Sequence, residues 1–298
     1  MRDQNDRIGR GEAARSAKLR AFFARYVAAK GGAQDPRIER AFAAVPREPF
    51  AGPGPWSIAV PGVGHVRTPD DDPAFLYQDV LVALDPDRGI NIGEPGLHAR
   101  CLDALALRDG ETALHVGAGA GYYTALLAHL TGPGGRVWAY EIEPDLAARA
   151  ERNLAPWPWV EVRARSGLAG ELPEVDAVYV NAGITQPSRA WLDALRPGGR
   201  LIFPLQPVGG FGGMLRVERP RSGAAWPARF VSPASFIACQ GRQDDDAGRR
   251  LTAAFAGGGW RDVRSLRLDD EPDRTCWVAG DDWWLSSAAP DPTASGGH

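Results

Sequence analysis

The sequence predicts a doubly wound α/β fold on a mostly parallel sheet, with helices before it and an antiparallel extension after it. Three observations carry this. Strand-like and helix-like segments alternate without a break from Glu111 to Pro204. The strand-like segments "TALHVG", "AVYVNAG" and "RLIFPL" are apolar runs instead of alternating patterns, as strands buried on both faces require. Finally, the first of them runs into a glycine-rich turn that opens directly into a helix, the joint of a parallel strand-helix unit.

Taken in order, Leu19, Phe22, Phe23 and Tyr26 fall on one face of a helix over 13–30, which the paired glycines stop. A second helix runs from Pro36 to Ala44 and ends at "VPREPF", where Pro46 and Pro49 forbid continuation. Residues 51–95 read as irregular, with one short strand over 77–84. "GLHARCLDAL" is helical, with Leu97, Cys101 and Leu105 in register. The core then reads strand "TALHVG", helix "YYTALLAHL", strand "RVWAYE", helix "PDLAARAERNL", strands "VEVRA" and "AVYVNAG", helix "SRAWLDAL", turn "RPGG" and strand "RLIFPL". Beyond it, "PVGGFGGM" is a turn, and "LRVER", "ARFVS" and "FIACQG" are antiparallel strands added to the sheet edge. "DDAGRRLTAAFAGGGW" is a short helix stopped by glycines. "CWVAG" and "WWLSS" form a last strand and its flank, with Trp260, Trp277, Trp283 and Trp284 packing the extension. The expected organisation is a helical region over 1–50, a substrate-side arm or lid over 51–100, the core over 101–206, a β-rich extension over 207–286 and a mobile tail over 287–298.

Composition narrows the function. The chain of 298 residues is 44% apolar and 24% charged, ordinary for a folded domain. A net charge of -3, with arginines interleaved among acids, gives no footprint for nucleic acid. The polar first 20 residues carry no apolar signal core, and no run approaches the roughly 18 residues of a membrane span, so the expectation is a cytoplasmic protein. Cys101, Cys239 and Cys276 have neither disulfide nor zinc spacing, and no metal site is expected.

The turn Gly117-Ala118-Gly119-Ala120-Gly121 lets a ligand lie against bare backbone at a helix N-terminus. A dinucleotide loop, G-x-G-x-x-G, places its third small residue one position later, and here that position is Tyr122. The G-x-G-x-G spacing favours a ligand without pyrophosphate, as in S-adenosyl-L-methionine enzymes of this Rossmann-like architecture, with S-adenosyl-L-homocysteine as product. The second strand ends in Glu141, about 20 residues after Gly121, where a carboxylate accepts ribose hydroxyls. Nicotinamide enzymes use an acid at the same place, so Glu141 indicates ribose and leaves the cofactor to the loop spacing. Ile142 follows it in the site.

These residues resemble the protein-L-isoaspartate O-methyltransferase family. "ALHVGAGAGYYTALLAHLTGPGGRVWAYEIEPDLAARAERNL" is similar to its first cofactor motif and acidic second strand, and "PEVDAVYVNAGITQPSRAWLDALRPGGRLIFPL" to its fourth and fifth strands. "VPREPF" and "YQD" are similar to its upstream elements. The resemblance covers roughly residues 36–206 and implies a class I methyltransferase acting on a carboxylate of a peptide or protein. Three positions depart from the family pattern. Its "TISQP", whose serine lies at the reacting carboxyl, corresponds to Asn91-Ile92-Gly93-Glu94-Pro95. The acid that would receive the adenine amino group corresponds to Ser166, followed by Gly167. The acid of the first motif corresponds to His115, expected to pack under the loop.

Methyl transfer from a sulfonium needs an acceptor aligned about 3 to 3.5 Å from the methyl, and a carboxylate acceptor needs no base. Ligands in such sheets sit beyond the strand C-termini, so Asn181 is expected to orient the acceptor or the cofactor amine. Asn91 and Glu94 are expected to cover the same pocket, with Tyr122 and Tyr123 as candidate walls. His98, one helical turn beyond Glu94, reads as a surface neighbour of it. Two further readings stay open: another acceptor, either a ribosomally made peptide or a small molecule, and a non-catalytic cofactor-binding module.

Overall fold

In the computed structural model, residues 2–60, 62–223, 225–240, 244–268 and 271–290 are described. Helix α1 (Arg2–Gly31) starts earlier than expected and packs against α2 (Pro36–Ala44), followed by the short α3 (Glu48–Ala51). The inward face of α1 is Phe23, Ala24 and Val27, while Phe22 is 73% exposed and Tyr26 is also exposed. That rotates the buried stripe by one position from the expected one, because Ala24 and Val27 allow closer approach to Ile38, Ala41 and Phe42 of α2. Asp35 caps α2 by accepting the Arg37 N–H at 2.8 Å, with Pro36 at the first helical position.

Residues 51–95 are more ordered than the sequence suggests. Strands β1 (Ser57–Val60), β2 (Gly64–Arg67), β3 (Leu81–Asp85) and β4 (Ile90–Asn91) form a four-stranded antiparallel sheet in the order β2-β1-β3-β4. The strand expected over 77–84 begins only at Leu81, because Tyr77 and Asp79 are engaged elsewhere. Tyr77 Oη donates to Glu48 at 2.5 Å, and Asp79 accepts the Gly96 N–H at 2.7 Å. The buried Arg47 donates to the carbonyls of Leu76 and Gln78 at 2.5 and 3.1 Å, tying this arm to the helices.

The core runs α4 (Pro95–Leu105), β5 (Thr112–Val116), α5 (Tyr122–Thr131), β6 (Arg136–Tyr140), α6 (Pro144–Leu154), β7 (Val160–Arg163), β8 (Val175–Val180), α7 (Arg189–Asp193) and β9 (Leu195–Leu205). The extension adds β10 (Gly212–Glu218), β11 (Trp226–Ala234), α8 (Asp245–Gly257), β12 (Ser265–Arg267), β13 (Cys276–Ala279) and β14 (Trp284–Ser286). All belong to one ten-stranded sheet, ordered β13-β14-β12-β11-β10-β9-β8-β5-β6-β7. Pairing is parallel from β7 through β6, β5 and β8 to β9, and antiparallel from β9 outward.

One apolar cluster joins α1, α2, α4 and α5 to one sheet face, and a second joins Trp191 and Leu192 of α7 and Leu251 of α8 to the other, so the sheet is wound on both sides. Two expected elements differ. "RPGG" lies inside β9, and residues 236–240 of "FIACQG" form a strap with a parallel bridge between Ala238 and Gly183 in place of a strand, Gly241 lying outside the described residues. Strand β12 was not anticipated, since three residues are too few to show a period. The four tryptophans do pack the extension: Trp260 and Trp277 stand edge-on to Phe230, and Trp283 and Trp284 are buried. Most of the expected tail, 291–298, lies outside the described residues. Among the described residues, no helix is long and apolar enough to cross a membrane.

Candidate active site

The strand order reverses between β5 and β8, and at the carboxyl ends of that pair opens a cavity of about 810 Å³. Its floor is the glycine turn. Gly117, Gly119 and Gly121 have φ of 74°, 56° and 97°, a left-handed conformation costly to any side chain, and α5 begins at the next residue. A Cβ on Gly121 would also meet Leu154 at 2.9 Å, which holds the turn down against α6.

Glu141, at the end of β6, is 5% exposed and reaches back to the turn. It accepts the Gly119 N–H at 2.6 Å and the Glu143 N–H at 3.0 Å. Burial pushes its carboxyl up, opposed by those backbone donors. Beside it Ile142 is 41% exposed, an apolar side chain standing in the cavity wall. Ser166 and Gly167 border the same end, the Ser166 hydroxyl accepting the Leu168 N–H at 3.2 Å.

His115 does lie under the turn. It is fully buried in β5, with Nδ1 at 2.8 Å from the Thr124 hydroxyl and Nε2 at 2.9 Å from the Asn181 amide nitrogen. Burial lowers its pKa to about 3, so the ring is neutral and accepts the Asn181 proton on Nε2. The amide is thereby oriented with Oδ1 buried and without a hydrogen-bond partner among the described residues. Asn181 lines the cavity where β8 ends.

The opposite wall comes from the arm and from α4. Asn91 lines it, its side-chain oxygen accepting the Gly93 N–H at 2.8 Å. Glu94 pairs with Lys30 at 3.1 Å, not with His98. His98 is instead 1% exposed and turned inward. Periodicity gave no sign of this, because the partner that buries it, Tyr179, comes from β8. Tyr122 and Tyr123 both line the cavity; the ring of Tyr122 packs on Phe42 and Phe50, 6.3 and 5.5 Å between centroids, and Tyr123 donates to the Gly93 carbonyl at 3.2 Å.

The strap 234–240 closes the far side. Gln206 accepts the Phe236 N–H and donates to its carbonyl, both at 2.8 Å, and Gly183 exchanges backbone hydrogen bonds with Ile237 and Cys239. Glu143 collects the arm and the strap together, bound by Arg88 at 2.5 Å and by Gln240 at 3.0 Å. Sequence reasoning did not anticipate Lys30, Leu84, Tyr179 or the strap as neighbours of the site. Only the loss of a side chain at Gly93 hinted that something else occupies its place.

A parallel sheet that switches order at this point, bare backbone at a helix N-terminus and a buried carboxylate one strand away define a class I S-adenosylmethionine-dependent methyltransferase fold. The chain belongs to the Protein-L-isoaspartate(D-aspartate) O-methyltransferase family, whose profile matches residues 67–242. It is 37% identical over 147 residues to Protein-L-isoaspartate O-methyltransferase of Aeropyrum pernix, covering 47% of this chain and 55% of that one. To Protein-L-isoaspartate O-methyltransferase 2 of an Anaeromyxobacter species it is 34% identical over 209 residues, covering 67% of this chain and 76% of the other. The fold is similar to that of a solved protein-L-isoaspartate O-methyltransferase, with a TM-score of 0.61, 19% identity and coverage of 92% of this chain and 88% of the other. A Plasmodium falciparum structure described as a beta-aspartate methyltransferase in complex with S-adenosyl-L-homocysteine superposes with a TM-score of 0.59 at 18% identity, covering 74% of this chain and 98% of the other.

Proposed function

We propose that the protein is an S-adenosylmethionine-dependent O-methyltransferase that methylates a carboxylate of a peptide or protein, with the isoaspartyl carboxylate as the acceptor its family membership favours. The observation that carries the reading is the Glu141 carboxylate, bonded to the Gly119 N–H across the glycine turn at the sheet's switch point.

The residues present fit the cofactor. Glu141 has lone pairs left for two ribose hydroxyls after its backbone bonds. Ile142 offers an apolar face to adenine, with Ser166 and Gly167 at the adenine edge. Gly117, Ala118 and Gly119 leave room for the methionine portion against bare backbone, as Tyr122 opens α5 behind them. Asn181 Oδ1, buried and without a partner among the described residues, suits the amino group, and His115 sets the amide's orientation. When bound, the cofactor supplies a methyl group on a sulfonium; the acceptor oxygen forms the new bond as the carbon–sulfur pair returns to sulfur.

The protein's own part is alignment and water exclusion. An acceptor carboxylate is already ionised at neutral pH, which removes the need for a general base. Tyr123, Phe236 and the strap wall the space between Asn181 and the arm, while Asn91 and Glu94 edge its opening. We take 51–100 as the substrate-side arm and 101–206 as the cofactor-binding core. Cys101 and Cys276 are free thiols, in keeping with action in the cytoplasm.

The test is mass spectrometry after incubation with methyl-labelled cofactor and an isoaspartyl peptide beside its aspartyl twin. The isoaspartyl peptide should gain one methyl and then lose it through a succinimide, with the twin unchanged. A stable methyl on a different peptide or a small molecule would redirect the acceptor assignment. Tight S-adenosylhomocysteine binding without turnover over a broad panel would point to a binding module.

A further inference from the structure

The cavity extends beyond the residues that the cofactor reading uses. The glycine turn, Glu141, Ser166 and Asn181 follow β5, β6, β7 and β8, whereas the lining continues to residues 232–235 at the end of β11, three strands past β8. Two successive antiparallel pairings beyond β9 bring β11 back parallel to β8, so its end opens on the same edge of the sheet. Three strand spacings are about 14 Å, and that is the length of about four residues of extended peptide. This half of the cavity has room for an acceptor residue and its chain neighbours.

Its walls are largely apolar. Phe211, in the turn between β9 and β10, and Ile237, on the strap, are exposed apolar side chains that line it. On the facing side, α4 buries His98, Cys101, Leu102 and Leu105 and sets Ala99 against Gly31 of α1. The stripe of α4 left for the cavity is Leu97 and, one turn further on, the exposed Arg100. Helix α4 itself packs on β9, β10 and β11, which puts that stripe on the side away from the ribose acid.

The charges around the cavity single out Arg100. Lys30 is neutralised by Asp79 at 2.5 Å and by Glu94 at 3.1 Å, and Glu143 is neutralised by Arg88 at 2.5 Å. Glu141 is held by backbone N–H groups, and Arg165, beside Ser166, donates to the carbonyls of Ala169 and Glu171. Arg100 has neither an ion pair nor a side-chain hydrogen bond among the described residues. Its planar fork of donors matches a carboxylate in two places at once. Beside apolar walls such a pair is screened less than one in open water.

Resting on the methyltransferase reading, we propose that Arg100 sets acceptor specificity: its guanidinium pairs with a second carboxylate, on a side chain close in sequence to the acceptor residue, so that the preferred substrate is an acidic peptide. The carboxylate that Arg100 meets is not the one being methylated, because the methyl is delivered beside Asn181 at the end of β8 and Arg100 belongs to the β11 side.

The experiment is calorimetry on the full chain loaded with S-adenosylhomocysteine, titrated with end-capped isoaspartyl peptides that carry Glu at one flanking position and with their Gln twins. In the parent one Glu peptide should bind about three- to tenfold more tightly than its twin, with the ratio shrinking as salt rises. Arg100→Gln should bring that ratio to about one, Arg100→Lys should keep part of it, and Arg100→Glu should invert it. Arg100 is exposed, so the variants should unfold at the parent's urea midpoint and bind S-adenosylhomocysteine within about threefold of the parent. A ratio near one at every flanking position in the parent, binding of neither twin, or a ratio preserved in Arg100→Gln overturns the inference. A preference that appears only when a Gln twin is left uncapped overturns the side-chain source and assigns the carboxylate to the chain end. Methyl transfer to the same peptides without a Glu preference removes Arg100 and leaves the methyltransferase standing, whereas a parent that binds no S-adenosylhomocysteine takes that reading with it.

Discussion

The Asn181 amide nitrogen lies 2.9 Å from His115 Nε2, beneath the turn that opens α5. The pair spans two neighbouring parallel strands at their C-terminal ends, β8 and β5, and fixes which atom of the amide faces the cavity. Replacing Asn181 by Ala removes the buried, unpaired amide oxygen and leaves His115 Nε2 without its partner. Calorimetry should find S-adenosylhomocysteine bound about tenfold more weakly, and urea unfolding should find a loss of about 1–3 kcal/mol. Unchanged cofactor affinity would remove Asn181 from the cofactor site.

Glu141→Ala deletes the carboxylate that accepts the Gly119 N–H and is assigned to the ribose. A bond of a charged group contributes about 1.5–3 kcal/mol, so affinity for S-adenosylhomocysteine should drop by about ten- to a hundredfold. Methionine, which lacks the ribose, should compete equally against any residual activity of parent and variant. An equal loss of affinity for both ligands would place the effect in the loop and not in the sugar.

Gly93→Ser should not improve the enzyme. A side chain at 93 meets the imidazole of His98 and must adopt a positive φ, together costing about 1–3 kcal/mol. In the double variant Gly93→Ser/His98→Ala the collision is relieved, and the unfolding free energies should be non-additive by about 1 kcal/mol. Strict additivity in a double-mutant cycle would show that the two positions do not touch.

Two buried neutral histidines set an acid limit on stability. His115 has its pKa lowered to about 3 and His98 is also held well below its ordinary value, both chiefly by burial. Below about pH 6.5 the unfolded chain takes up protons at these rings and the native state does not, so their contribution is complete above pH 6.5 and is lost as pH falls. Between pH 6 and 5 each should remove about 1.4 kcal/mol per pH unit, above the range in which most carboxylates titrate. Urea midpoints measured across this interval in the parent and in His115→Gln test it: the variant should show a shallower slope, and equal slopes would mean that His115 is charged in the native state.

The core strands and helices from β5 to β9 were legible because their signals are local. A strand buried on both faces is continuously apolar, a helix repeats every few residues, and a turn in the left-handed region needs glycine. Gly117 to Gly121 and Glu141 could be singled out for the same reason, since strand ends fall at fixed chain spacing in such a sheet. The arm was harder. Its strands are short, β2 is exposed along its length and β4 has two residues, so none carries a period long enough to read. Residues 236–240 of the strap look like a strand from composition, yet Gln206 and Gly183 take up their backbone groups and leave a single bridge among the described residues.

The sequence by itself determined the fold class, the acid that ends β6 and the bare glycine turn, all products of neighbouring residues and backbone sterics. Tertiary structure alone decided which side chains close the cavity opposite that turn. Whether His98 faces water or the interior depends on Tyr179, Tyr123, Phe236 and Gly93, which arrive from four separate elements, and no local pattern records a contact made across the sheet.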